Sequence, residues 1–223
     1  MPCLTLVRLV VASLLFVACG EAETAPAPQR PAAPGAPATL AQLLGPWQAT
    51  PLVLDLMART RVEQACSRDI EMPPGSRAVL VDARGAGVVS VVMRGQTAGG
   101  CYALEIMANG QITGAGGGWR ADRLPGLPVL GESELADIEQ QTVSGGNLKV
   151  VGWSVVGRAG PAITSVLVAP QGHPVVTATL ENGWFGAWWP ARPGDPSPDD
   201  GRFLPIVVGG YDAFGVLQDE VRP

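Results

Sequence analysis

The sequence predicts an α+β fold: an antiparallel sheet with an N-terminal helix, followed by a β-rich half built as a sandwich or barrel. Three observations predict it. A helix-spaced apolar series over 51–66 stands near the start of the candidate globular part. Beyond it, short β-branched runs alternate with turns rich in Gly, Asn and Pro. The composition, 47% apolar and 16% charged, suits a packed core and not a disordered chain.

The elements follow in order. Thr39 to Leu44 reads as a short helix, capped by Thr39 and stopped by Gly45-Pro46. Pro51 suits a first helical position, and Leu52, Leu56, Arg59, Val62, Glu63 and Cys66 follow at helical spacing, so a second helix is expected to about Cys66. After Pro73-Pro74-Gly75, Ala78–Asp82 and Val88–Met93 read as strands, with Arg84-Gly85-Ala86-Gly87 supplying a hairpin turn. Cys101–Met107 reads as a third strand, turned by Asn109-Gly110 into Ile112. Residues 121–147 read as a connecting loop with a hinge, dividing an α+β half (39–120) from a β-rich half (148–223). That second half carries strand runs at Leu148–Gly157, Ala162–Ala169, Val175–Leu180, Gly183–Trp189, Ile206–Tyr211 and Val216–Val221. Turns such as Glu181-Asn182-Gly183 separate them at the spacing of a small sandwich or barrel.

The N-terminus carries an address. Arg8 precedes an apolar stretch from Leu9 to Val17, too short for a bilayer span of about 20 residues. The run Leu14-Leu15-Phe16-Val17-Ala18-Cys19-Gly20 resembles the lipobox of a bacterial lipoprotein, with Phe16 where Leu is commonest. The resemblance implies that residues 1–18 are a signal peptide and that the Cys19 thiol carries a diacylglyceryl group of palmitate-like chains. It further implies attachment to the cell membrane or outer membrane on the extracytoplasmic side. An ordinary secretory peptide cut near Ala18 is the competing reading. Residues 19–38 hold five prolines and read as an extended tether.

With Cys3 removed and Cys19 acylated, Cys66 and Cys101 remain in an oxidising compartment, and an even remainder fits a disulfide. Two buried free thiols are the alternative. A metal site is the weakest alternative, because neither Cys has a second Cys or a His at ligand spacing. The net charge of −5 argues against nucleic acid, which asks for a basic surface.

A second resemblance spans most of the mature chain. Val156-Gly157-Arg158-Ala159-Gly160, Thr164-Ser165-Val166 and Ala178 through Trp184-Phe185-Gly186-Ala187-Trp188-Trp189-Pro190 are similar to a pattern in uncharacterised exported or membrane-anchored bacterial proteins. Ala65-Cys66, Leu80–Gly85 and Cys101 resemble their preceding segment. The Trp-Phe-x-x-Trp-Trp-Pro stretch is its most specific part, and it implies no activity.

Candidate chemistry is sparse. Gly152-Trp153-Ser154-Val155-Val156-Gly157 comes one place short of Gly-x-Ser-x-Gly and lies in a strand run, without the strand–turn–helix a nucleophile elbow needs. The lone His, His173, would have to reach Ser154 for hydrolase chemistry. Gly85-Ala86-Gly87 precedes no helix and reads as a turn, so no cofactor is expected. Asp195, Asp199 and Asp200 offer hard oxygens for Ca²⁺, though without the spacing of a twelve-residue calcium loop; a solvated acidic loop is favoured.

Strand alternation puts Trp184 and Trp188 on one side and Phe185 and Trp189 on the other. Burial of both sides is the favoured reading, and an exposed platform of Phe185 and Trp189, able to stack on a sugar or a protein, the sharper one. The expectation for the whole chain is a non-enzymatic, lipid-anchored envelope module that binds a protein or glycan partner. An envelope hydrolase and a purely structural lipoprotein are the alternatives.

Overall fold

The computed structural model describes residues 46–85, 87–102, 105–106, 112–113, 118–121, 127–144, 150–196 and 202–223. The expected signal peptide, Cys19, the tether, the Thr39–Leu44 helix, the Asn109-Gly110 turn, Asp199 and Asp200 lie outside the described residues.

The fold is α+β and mostly antiparallel strand. Its described helix, α1, spans Leu56–Asp69. The strands are β1 (Arg77–Arg84), β2 (Gly87–Arg94), β3 (Thr97–Tyr102), β4 (Glu105–Ile106), β5 (Ile112–Thr113), β6 (Gly118–Ala121) and β7 (Leu135–Ser144). After these come β8 (Val150–Ala159), β9 (Ser165–Pro170), β10 (Val176–Thr177), β11 (Thr179–Glu181), β12 (Trp184–Pro190), β13 (Ile206–Tyr211) and β14 (Leu217–Val221). Three four-stranded sheets result: β1-β2-β3-β6, β11-β12-β8-β7 and β10-β9-β13-β14, with β4-β5 a separate short ladder.

The sheets stack. On one face of the first sheet, Val81, Ala83, Val88 and Val92 pack with Val62, Ala65 and Cys66 of α1. On its other face, Leu80, Val89 and Val91 meet Val156 and Trp184 of the second sheet. The far face of the second sheet presents Trp153, Val155, Phe185, Ala187 and Trp189 to Val166, Val168, Ile206 and Val208 of the third. The order of layers is therefore helix, first sheet, second sheet, third sheet. Strands covered on both faces have no polar side to show, which explains the continuous runs Ala78–Val81 and Val88–Met93.

Local chemistry sets the element ends. Helix α1 begins five residues later than Pro51 because Asp55 caps it, accepting from the Ala58 amide at 2.7 Å. Leu52 instead pairs with Ala83, its amide donating to the Ala83 carbonyl at 2.8 Å. The β11–β12 hairpin closes on Asn182 and Gly183, with φ of 51° and 75°, the two positive values a type I′ turn requires. The expected strand Val175–Leu180 is split at Ala178: β10 pairs with β9 in the third sheet, β11 with β12 in the second. One run thus turns the corner between sheets.

The expected loop 121–147 contains β7, a ten-residue edge strand of the second sheet. Its Glu139, Gln140, Gln141 and Thr142 give no apolar alternation, so nothing in that segment announces a strand. Cys66 and Cys101 form a disulfide, Cα–Cα 5.6 Å, that pins α1 to β3.

Candidate functional site at the entry end of the sandwich

One end of the sandwich formed by the second and third sheets brings together His173 and Asp195 beside Trp153. Strand β8 starts there, β12 and β9 finish there, and the chain enters beside them: the Trp47 indole donates to the Trp188 carbonyl at 2.8 Å, and the Thr177 amide to the Ala49 carbonyl at 3.3 Å. Two described stretches border this end, 171–175 after β9 and 191–196 after β12.

Asp195 joins those loops to the sheet. Its carboxylate accepts from the Trp153 indole at 3.0 Å, from His173 Nε2 at 3.0 Å and from the Arg192 amide at 2.9 Å. Arg192 in turn donates to the Gly172 carbonyl at 2.7 Å. The His173 side chain is 2% exposed and that of Asp195 12%. Burial pushes the Asp195 carboxyl up, but the Arg192 amide, His173 and the Trp153 indole together outweigh it and hold the group below the ordinary carboxylate range. The carboxylate is therefore committed to three protein donors. That leaves Asp195 as the brace of two loops and not as a ready Ca²⁺ ligand. Among the described residues no group of three or more His, Cys, Asp or Glu side chains is placed to hold a metal ion.

Ser154 and His173 do not meet. Trp153, whose indole reaches the Asp195–His173 pair, faces the third sheet, and its neighbour Ser154 therefore faces the first. Ser154 Oγ is fully buried without a hydrogen-bond partner. A serine hydrolase needs nucleophile and base within hydrogen-bond reach, and here a sheet separates them.

The aromatic stretch is core on both sides. Phe185 and Trp189 are 0% and 1% exposed, sealed under the third sheet, so the surface platform imagined for them does not form. Gly157 is what admits Phe185: a Cβ there would sit 2.4 Å from the ring. On the other face, Trp184 is buried against the first sheet, while Trp188 lies over Gly87 and donates its indole N–H to the Gly87 carbonyl at 3.1 Å. The strand lies inside its sheet and is covered on both faces, which suits the large aromatics at four of its seven positions.

A second polar centre lies between the first and second sheets. Asp82 and Arg84, both 0% exposed, form a bidentate pair within β1: Nε to Oδ2 at 2.8 Å and a terminal nitrogen to Oδ1 at 2.9 Å. The guanidinium also donates to the carbonyls of Ala49 and Thr177, and Thr179 Oγ1 donates to Asp82 at 2.7 Å. Opposite charges two apart in an apolar strand were the available signal, since that spacing puts both on one face. The network clamps the entering chain and the β10–β11 corner to the first sheet; every acceptor it uses is intramolecular, so its visible role is structural.

No helix among the described residues is long and apolar enough to cross a membrane. No protein-family model, no curated protein and no solved structure matches this chain.

Proposed function

We propose that the protein is a lipid-anchored module of the bacterial cell envelope that binds a partner and carries out no catalysis. The observation that carries this reading is the Cys66–Cys101 disulfide in a chain whose N-terminus reads as a lipobox. A stable disulfide belongs to an oxidising compartment, and the Leu14–Gly20 run with its proline-rich sequel supplies the route to one. The separation of Ser154 from His173, and the engagement of Asp195 by three donors, weigh against the hydrolase alternative at those residues. The Trp-Phe-x-x-Trp-Trp-Pro stretch then reads as the packing signature of a doubly covered strand.

Metabolic labelling with a palmitate analogue tests the anchor. The mature protein should incorporate label and partition with membranes, and Cys19→Ser should abolish both. An unlabelled protein with residues 1–18 still attached would overturn the reading.

A further inference from the structure

The end of the sandwich away from the chain entry carries a feature that packing does not explain. Between β13 and β14 the chain turns through Asp212-Ala213-Phe214-Gly215-Val216. Phe214 is 91% exposed, Val216 55% and Leu217 48%. A single exposed apolar side chain is ordinary, but three within four residues at a hairpin tip form a patch.

The tip is also locked. The Asp212 carboxylate accepts from the amides of Phe214 at 2.8 Å and Val216 at 2.9 Å, and from Gln218 Nε2 at 2.9 Å. The Asp212 amide donates to the Val216 carbonyl at 3.0 Å, and Gly215 takes the positive φ of 78° that the turn demands. A turn pinned this way holds Phe214 outward before anything binds, which lowers the ordering cost of an encounter.

Charge and position say what fits it. Glu132, Glu134 and Asp219 lie around the same end, where Arg158 is already paired with a carboxylate, Asp137. An acidic surround disfavours anionic lipid and favours a cationic surface. The tip also stands opposite the end where the chain arrives at Trp47. A body held from its entry end presents Phe214 away from the anchor.

We infer that the β13–β14 hairpin is a docking knob, with Phe214 inserting into an apolar pocket of a partner protein whose rim carries Arg or Lys side chains. This rests on the envelope-module reading and names its contact surface.

The test places the photoreactive p-benzoylphenylalanine at position 214 of the full chain in its native cells and identifies the cross-linked species. That species is then purified and its binding to the unaltered chain measured. Phe214→Ser should weaken binding by about tenfold or more. Raising salt from about 50 to about 500 mM should weaken it further. The variant should keep the parent melting temperature, since the ring touches solvent. No cross-linked protein, cross-linking to lipid only, or binding indifferent to Phe214→Ser or to salt would each overturn the proposal. Membrane fractionation of the same cells separates the two ideas: a soluble chain would sink the anchor while the cross-link still judged the hairpin.

Discussion

The two faces of the central sheet are held by different physics. Toward the third sheet the contact is volume: Trp153, Phe185 and Trp189 interlock with Val166, Val168, Ile206 and Val208. Toward the first sheet the apolar cluster is smaller, and directed polar contacts surround it. Asp82 and Arg84 join Thr177 and Thr179, Arg59 makes a two-pronged pair with Glu181 at 2.9 and 2.6 Å, Asn182 Nδ2 donates to the Val79 carbonyl at 2.9 Å, and Trp188 donates to Gly87. Apolar packing tolerates repacking when volume is kept, whereas a buried charge network fails once one member is lost. The contact of the first and second sheets is thus fixed by directed geometry and that of the second and third by close packing. Since the second sheet belongs to both contacts, the halves should not melt independently.

The comparison breaks first at Arg84. Arg84→Ala leaves Asp82 buried beside only Thr179 and should destabilise the protein by about 5 kcal/mol, seen as a fall in urea midpoint at unchanged slope. Replacing both charges, Asp82→Leu with Arg84→Met, should cost far less; an equal loss would show that the carbonyls of Ala49 and Thr177, not the charge pair, set the energy. Next comes the brace on the far side of the first sheet. The disulfide closes a loop of 35 residues, worth about 4 kcal/mol in the chain-entropy treatment. Reduction should lower one cooperative transition followed by both tryptophan fluorescence and far-UV circular dichroism. Two separated transitions would mean that the first and second sheets do not unfold together.

How far these contacts could be read from the sequence depends on whether each rests on local pattern or on distant partners. Strand β13 lies where its Val and Ile run placed it, and the Asn182-Gly183 turn closes as that dipeptide dictates, because both are settled by neighbours in sequence. The Cys66–Cys101 pairing is legible once Cys3 and Cys19 are assigned to the signal peptide and the anchor, which leaves two cysteines to pair. By contrast, β7 carries no strand signal, because an edge strand with Glu139, Gln140, Gln141 and Thr142 in succession shows no apolar period. Leu52 falls in a helical spacing, and its real partner, Ala83, is too remote in sequence to show there. Phe185 and Trp189 admitted two readings from alternation, which separates the faces of a strand without saying whether each is covered. The candidate site was less readable still: His173 and Asp195 meet only through the packing of two loops, and Asp212 shows its purpose only once the turn is built.

Smaller effects sharpen the contrast. Gly157→Ala drives a methyl into the Phe185 ring and should cost about 2 kcal/mol. Phe185→Leu alone should cost about 1 kcal/mol, and the double variant should be more stable than the sum of the two, because the smaller side chain yields the space. Additive losses would mean that Gly157 is needed for its backbone and not for the ring.

The mildest test is pH, at the entry end. The folded protein holds the Asp195 carboxyl below its ordinary value, so the unfolded chain binds that proton first as acid is added. Its contribution to stability is complete above the ordinary carboxylate pKa of about 4 and is lost as pH falls from there through the folded value. Asp195→Asn removes that dependence. Between about pH 6 and pH 3 the parent should therefore lose more stability than the variant, and the gap between them should narrow. The His173 ring contacts the carboxylate, and Arg192→Ala keeps the backbone amide that donates to Asp195. That variant should retain the parent's acid profile. A parent-like profile in Asp195→Asn, or a flattened one in Arg192→Ala, would move the acid sensitivity away from the Trp153–Asp195–His173 contact.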